Sequence, residues 1–142
     1  MNFIHNQLIA LDTNQFIFAL RQDQTYPSCQ ILLFEKLHKI NVYLPLRVLI
    51  ELQRNLNENE IRGVMLALST ARNTTWDYAL APSHLVQKWE KQGAKKGDAV
   101  IAAHLETNNI PYLISENRHF LHEIADLPFK VLSSKKLLTY LN

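Results

Sequence analysis

Cysteine occurs once in this chain, at Cys29, so no intrachain disulfide can form and no thiolate cluster can hold zinc. A single thiol fits a reducing compartment. Glycine is nearly as scarce, with three residues in 142, and the five prolines are scattered. That leaves no glycine-rich loop ending in Lys-Ser/Thr, which excludes a phosphate-cradling NTPase, and no low-complexity linker to separate two domains. No internal repeat is visible. Apolar runs stay well short of the about 18 residues that a membrane span needs. The opening MNFIHNQLIALD has no basic segment followed by a long apolar one, so a soluble, cytoplasmic protein without a membrane partner is expected. Neither sign of charge dominates, and a net +2 decides little by itself. What the chain has is apolar residues, 47% of the total, enough for a single domain over 1–142 with a real core.

The most informative stretch is QLIALDTNQFIFAL, Gln7 to Leu20. Leu8, Ile9, Ala10 and Leu11 form an unbroken apolar run of strand length, as in a strand buried on both faces of a parallel sheet. It stops at Asp12, and Thr13 and Asn14 start a helix carrying Phe16, Ile17 and Leu20. The pattern puts Asp12 at the carboxyl end of a buried strand, the edge where open α/β sheets bind ligands. Capping of the following helix is the plainer use of the same carboxylate.

Further along, Ile31, Leu32, Phe34 and Leu37 predict one helix against the core, and Val42 to Leu44 a second strand ended by Pro45. The next helix has its stripe at Leu46, Leu49, Leu52 and Leu56, with Glu51 at the stripe's edge, facing either a crevice or water. Ile61, Val64, Met65 and Leu68 mark a helix for core or subunit contact. Thr75 to Leu80 is expected to be a third strand, followed by a helix from Ala81-Pro82-Ser83 to Gly93. After Lys95-Lys96-Gly97, Asp98 shares a helix face with Ile101, Ala102 and Leu105, and Ala99, Ala102 and Ala103 suit close packing on the sheet. An acid in a first helical turn is also a common stabilising device. Pro111 to Ile114 predicts a fourth strand, with Ser115-Glu116-Asn117-Arg118-His119 at its carboxyl end, and Val131-Leu132 a last strand before a helix to Leu141. Alternating strands and helices imply α/β architecture around a parallel sheet.

The segments LDTN, the Glu after the second strand, GDAVIAAH and LISENRHF, in this order and spacing, resemble the PIN domain of bacterial VapC-type toxins and RNA-processing factors. The resemblance covers essentially the whole chain. It implies a three-layer α/β/α sandwich with a central parallel β-sheet and acidic residues gathered at one edge, binding Mg²⁺ or Mn²⁺ and cutting RNA. Asp12, Glu51 and Asp98 fall on the family's acidic positions, as catalytic residues and metal ligands, and Ser115 on its usual Ser/Thr. The fourth acidic position is Asn117 here, with Glu116 beside it; Asn14, Ser115, Glu116 and Asn117 are expected to support the ligands, Asn117 nearer the ion and Glu116 from the rim. The resemblance further implies a homodimer and a cognate antitoxin protein.

Physical chemistry supports a metal independently of any family. Two carboxylates about 4 Å apart repel by ~4 kcal/mol at an effective dielectric near 20, so three in one crevice must take up protons or gather a cation. Oxygen-only ligands favour a hard ion. Such an ion activates water and neutralises charge in phosphodiester hydrolysis. Lys95, Lys96 and Arg118 are the candidates for holding RNA phosphates beside the acids, although a solvated basic face has the same composition. The six histidines offer a competing acid–base mechanism, but only His119 falls near the proposed edge. A haloacid-dehalogenase-type phosphatase needs Asp two positions after Asp12, where this chain has Asn14. The alternative that survives is a non-catalytic PIN-like module binding RNA or protein.

Overall fold

The computed structural model describes residues 4–142. Its centre is β1 (Leu8–Leu11), the apolar run noted above, with Ile9, Ala10 and Leu11 fully buried. β1 pairs in parallel with β2 (Asn41–Pro45) on one side and β4 (Tyr112–Ile114) on the other. β3 (Asn73–Asp77) extends the sheet beyond β2, and β5 (Lys130–Leu132) extends it beyond β4. The sheet is therefore all parallel, in the order β3-β2-β1-β4-β5. Chain order runs outward from β1 in one direction as far as β3, then restarts at β4 in the other. That reversal opens a crevice between the carboxyl ends of β1 and β4.

Seven α-helices among the described residues complete a three-layer α/β/α sandwich: α1 (Thr13–Leu20), α2 (Pro27–Ile31), α3 (Leu46–Asn55), α4 (Glu58–Leu68), α5 (Ser83–Lys91), α6 (Lys96–Thr107) and α7 (Ser134–Leu141). Helix α1 packs on α2 and α2 on α7, while α5 packs on α6. The alanines of α6 are used as their size suggests: Ala99, Ala102 and Ala103 are fully buried, together with Ile101 and Leu105. This close seat fixes the N-terminus of α6, and Asp98 with it, at the carboxyl edge of the sheet.

Four elements differ from the sequence expectation. The third strand ends at Asp77 rather than Leu80, because its register partner there is Pro45, the last residue of β2. Beyond that pair no partner strand continues, and Tyr78 and Leu80 are exposed. The segment after Pro27 is a single helical path broken by a wide π-type turn over Leu32–Lys36. The extra residue in that turn rotates the buried face, so Leu32, Leu33 and Leu37 point inward while Ile31 and Phe34 are exposed. On α3 the deepest side chains are Val48 and Leu52, with Leu46 and Leu49 only half-buried. On α4, Val64, Ala67 and Leu68 face the core and Met65 does not.

Candidate active site

Asp12 is the first residue after β1, and its amide donates to the carbonyl of Ile114 at the end of β4, which ties the two strand ends together (2.9 Å). Its side chain is buried, at 6% exposure. The Thr13 amide donates to Oδ1 at 2.8 Å, so Asp12 does cap α1, while the Ser115 hydroxyl donates to Oδ2 at 2.7 Å. Ser115 has no other use for its proton, since its oxygen accepts from Asn14 Nδ2 (3.2 Å) and from the Asn117 amide (3.0 Å). Capping and site-building are one arrangement here, with Asp12 held from both sides.

Glu51 reaches the crevice from α3, where Thr13 Oγ1 donates to its Oε1 at 3.3 Å. Asp98 reaches it from the first turn of α6, and Asn117 Nδ2 donates to its Oδ2 at 3.4 Å. Together Asp12, Thr13, Asn14, Glu51, Asp98 and Asn117 line one open cavity of about 290 Å³. Burial raises the pKa of Asp12 from 3.8 to about 6, against the lowering effect of the Ser115 and Thr13 hydrogen bonds and with further increments from the Glu51 and Asp98 charges. Burial also raises Glu51 and Asp98, opposed at Glu51 mainly by Arg47 and at Asp98 by His119 and Asn117. All three acids are thus held in a place that resists their negative charge.

Glu116 points the other way. Its Oε2 accepts from Gln15 Nε2 (2.7 Å) and from the Ser134 amide at the start of α7 (2.9 Å), with the Cys29 thiol at 3.8 Å. It borders a separate cavity of about 560 Å³, lined also by Tyr26, Pro27, Ser28 and Ser133. Lys95 stands at the N-terminus of α6, where its charge acts on Asp98, and Lys95, Lys96 and Arg118 are all exposed, as a phosphate contact would require. His119 bonds to the Gly93 carbonyl (3.0 Å) and to Glu123 (3.2 Å), so its two ring nitrogens are engaged outside the crevice.

The sequence reading missed one residue of the crevice and one beside it. Thr13 passed as a turn residue, although its hydroxyl orients Glu51. Arg47, whose Nε lies 3.7 Å from Glu51 Oε1, was discoverable as the i, i+4 neighbour of Glu51 on one helix face.

The donor set fits a hard divalent ion: it is oxygen-only and carboxylate-rich, and its acids are held above their ordinary pKa. Among the described residues no three acidic, His or Cys side chains already stand at metal-ligand spacing, so Glu51 or Asp98 would have to close in on an ion.

Two solved structures share this architecture. One is VapBC2 from Rickettsia felis, determined bound to a DNA fragment from its promoter, with a TM-score of 0.61 and 18% identity, covering 89% of this chain and 98% of that one. The other is PAE2754 from Pyrobaculum aerophilum, with a TM-score of 0.55 and 14% identity over 95% of this chain and 94% of that one. This chain has a PIN-like fold. No protein-family model and no curated protein sequence matches it. The PIN-like likeness is therefore carried by the backbone path, since sequence identity this low reports the fold alone. Among the described residues no helix is long and apolar enough to cross a membrane.

Proposed function

We propose that this protein is a metal-dependent endoribonuclease. The observation that carries this reading is the meeting of Asp12, Glu51 and Asp98 in one crevice at the strand-order reversal of a PIN-like sheet. Asp12 and Asp98 would be the main ligands of Mg²⁺ or Mn²⁺, with Glu51 binding directly or through water. Once bound, the ion supplies a Lewis acid for the scissile phosphate and a water of lowered pKa. Ser115 and Thr13 fix the Asp12 carboxylate, Asn117 orients Asp98, and Thr13 Oγ1 orients Glu51. Exposed Lys95, Lys96 and Arg118 would hold flanking phosphates. The likeness to a VapBC complex supports a toxin acting with a cognate antitoxin protein; a homodimer in the cytoplasm completes the proposal.

Cleavage of RNA by the purified chain should require Mn²⁺ or Mg²⁺ and stop in excess chelator. Attack by water should leave 5′-phosphate and 3′-hydroxyl ends. Cyclic phosphate ends would point instead to attack by the ribose 2′-hydroxyl and would remove the metal-water reading, as would full activity in chelator. A non-catalytic module binding RNA or protein is the second reading, favoured by the acids not yet standing at ligand spacing. It predicts RNA retention without cleavage at any metal concentration.

A further inference from the structure

Arg47 lies on the first turn of α3 and reaches toward the first turn of α6, beside the crevice. Its Nε is 3.7 Å from Glu51 Oε1, too far for a hydrogen bond but close enough for a charge contact. The Nε–H is nonetheless buried and has no acceptor. The other end of the guanidinium lies flat against Gly97, where an added Cβ would stand 3.1 Å from Nη2 and 3.5 Å from Cζ. It therefore spans from α3 to the first turn of α6, one residue from Asp98, and its charge lowers the pKa of both Glu51 and Asp98. The seat is a poor one for a cation in every other respect. A helix N-terminus repels positive charge, and the unpaired Nε–H costs further. The charge contact with Glu51 works against these costs.

We propose that Arg47 is a built-in counter-cation of this crevice, which competes with a divalent ion for Glu51 and Asp98 and so sets the metal concentration the site requires. The inference rests on the metal reading given above. Gly97 is part of the device, because any side chain there would meet the guanidinium. Metal would enter as Arg47 withdraws toward solvent, which its half-exposed stem allows.

The test is a calorimetric titration of Mn²⁺ into the full chain and two variants, without RNA. Arg47→Met keeps the apolar stem and removes the charge, and it should bind Mn²⁺ roughly tenfold more tightly, the scale of repulsion between a single and a double charge a few ångströms apart in a water-like dielectric. Arg47→Gln also removes the charge while keeping a polar end group, and it should tighten binding in the same direction by a similar factor. A residue that merely stabilised α3 would not improve metal affinity when removed. Should Arg47→Met fail to fold, Arg47→Gln decides alone, tighter binding supporting the proposal and unchanged binding overturning it. Equal or weaker binding by the variants, with the parent chain binding normally, overturns the proposal and leaves the metal reading intact. Absence of Mn²⁺ binding in all three overturns both.

Discussion

Replacing Asp12 with Asn is expected to reduce metal-dependent RNA cleavage by more than ~100-fold, beyond what the loss of an outer-sphere partner costs, and to change the pH dependence of stability in a specific direction. Both effects come from one buried charge. In the folded chain the Asp12 pKa stands at about 6 against an ordinary 3.8, so the folded state holds that proton more tightly than the unfolded state does. The stability this contributes is fully present below pH 3.8, is lost as pH rises toward about 6, and is absent above. A shift of about two units corresponds to ~3 kcal/mol. Asn cannot ionise and escapes that loss. It has a cost of its own, because Ser115 already accepts two hydrogen bonds and needs an acceptor for its proton, which an amide nitrogen is not. That mismatch, of order 1–3 kcal/mol, is independent of pH. Urea unfolding of the metal-free proteins at pH 4 and pH 7.5 separates the two: between these pH values the difference in stability should move by ~2–3 kcal/mol in favour of the Asn variant. A difference that stays constant would mean that Asp12 is not held against its charge. Saturating Mn²⁺ should remove the loss from the parent chain, because the ion then takes the place of the proton on Asp12.

The fold was legible because its central signals are local. Leu8–Leu11 could only be a strand covered on both faces, and the alanines on the face of Asp98 required a helix seated closely on the sheet. From these two placements Asp12 and Asp98 are brought to the same edge before any coordinate is known. What the sequence did not reveal depends on register or on contacts between distant segments. The end of β3 is decided by Pro45 in the neighbouring strand, which no property of residues 75–80 announces. The inward face after Pro27 is decided by one wide turn, and a π-type turn has no composition of its own. At the site, the hydroxyl of Ser115 meets Asp12 across 103 positions of sequence, so its role as a clamp with a single destination for its proton is visible only when all three of its partners are seen.

The pair Glu116 and Asn117 gives the sharpest separation between a residue that serves the site and one that serves the fold. The register of the PIN-like motif that the sequence resembles puts Asn117 nearer the crevice and Glu116 on its rim. In the structure Asn117 lines the crevice and donates to Asp98, while the Glu116 carboxylate is turned to the start of α7 and gathers Gln15 and Ser134. Glu116→Ala should therefore lower stability by about 2 kcal/mol, through an unpaired Ser134 amide and the loss of a negative charge at a helix N-terminus. The Mn²⁺ concentration for half-maximal cleavage should hardly move, provided the assay is run well below the variant's melting temperature. Asn117→Ala should do the opposite. Losing the bond from the His119 amide to Asn117 Oδ1 costs only about 1 kcal/mol, but Asp98 is left without its orienting donor, and the metal requirement should rise ~10-fold. Chemical unfolding paired with a Mn²⁺ titration of cleavage gives four numbers that the two roles order differently. A larger rise in metal requirement for Glu116→Ala than for Asn117→Ala would mean that the carboxylate swings from α7 into the crevice when metal binds. Glu116 would then supply the fourth negative charge, and the hydrogen bonds it makes to Gln15 and Ser134 would be its resting position.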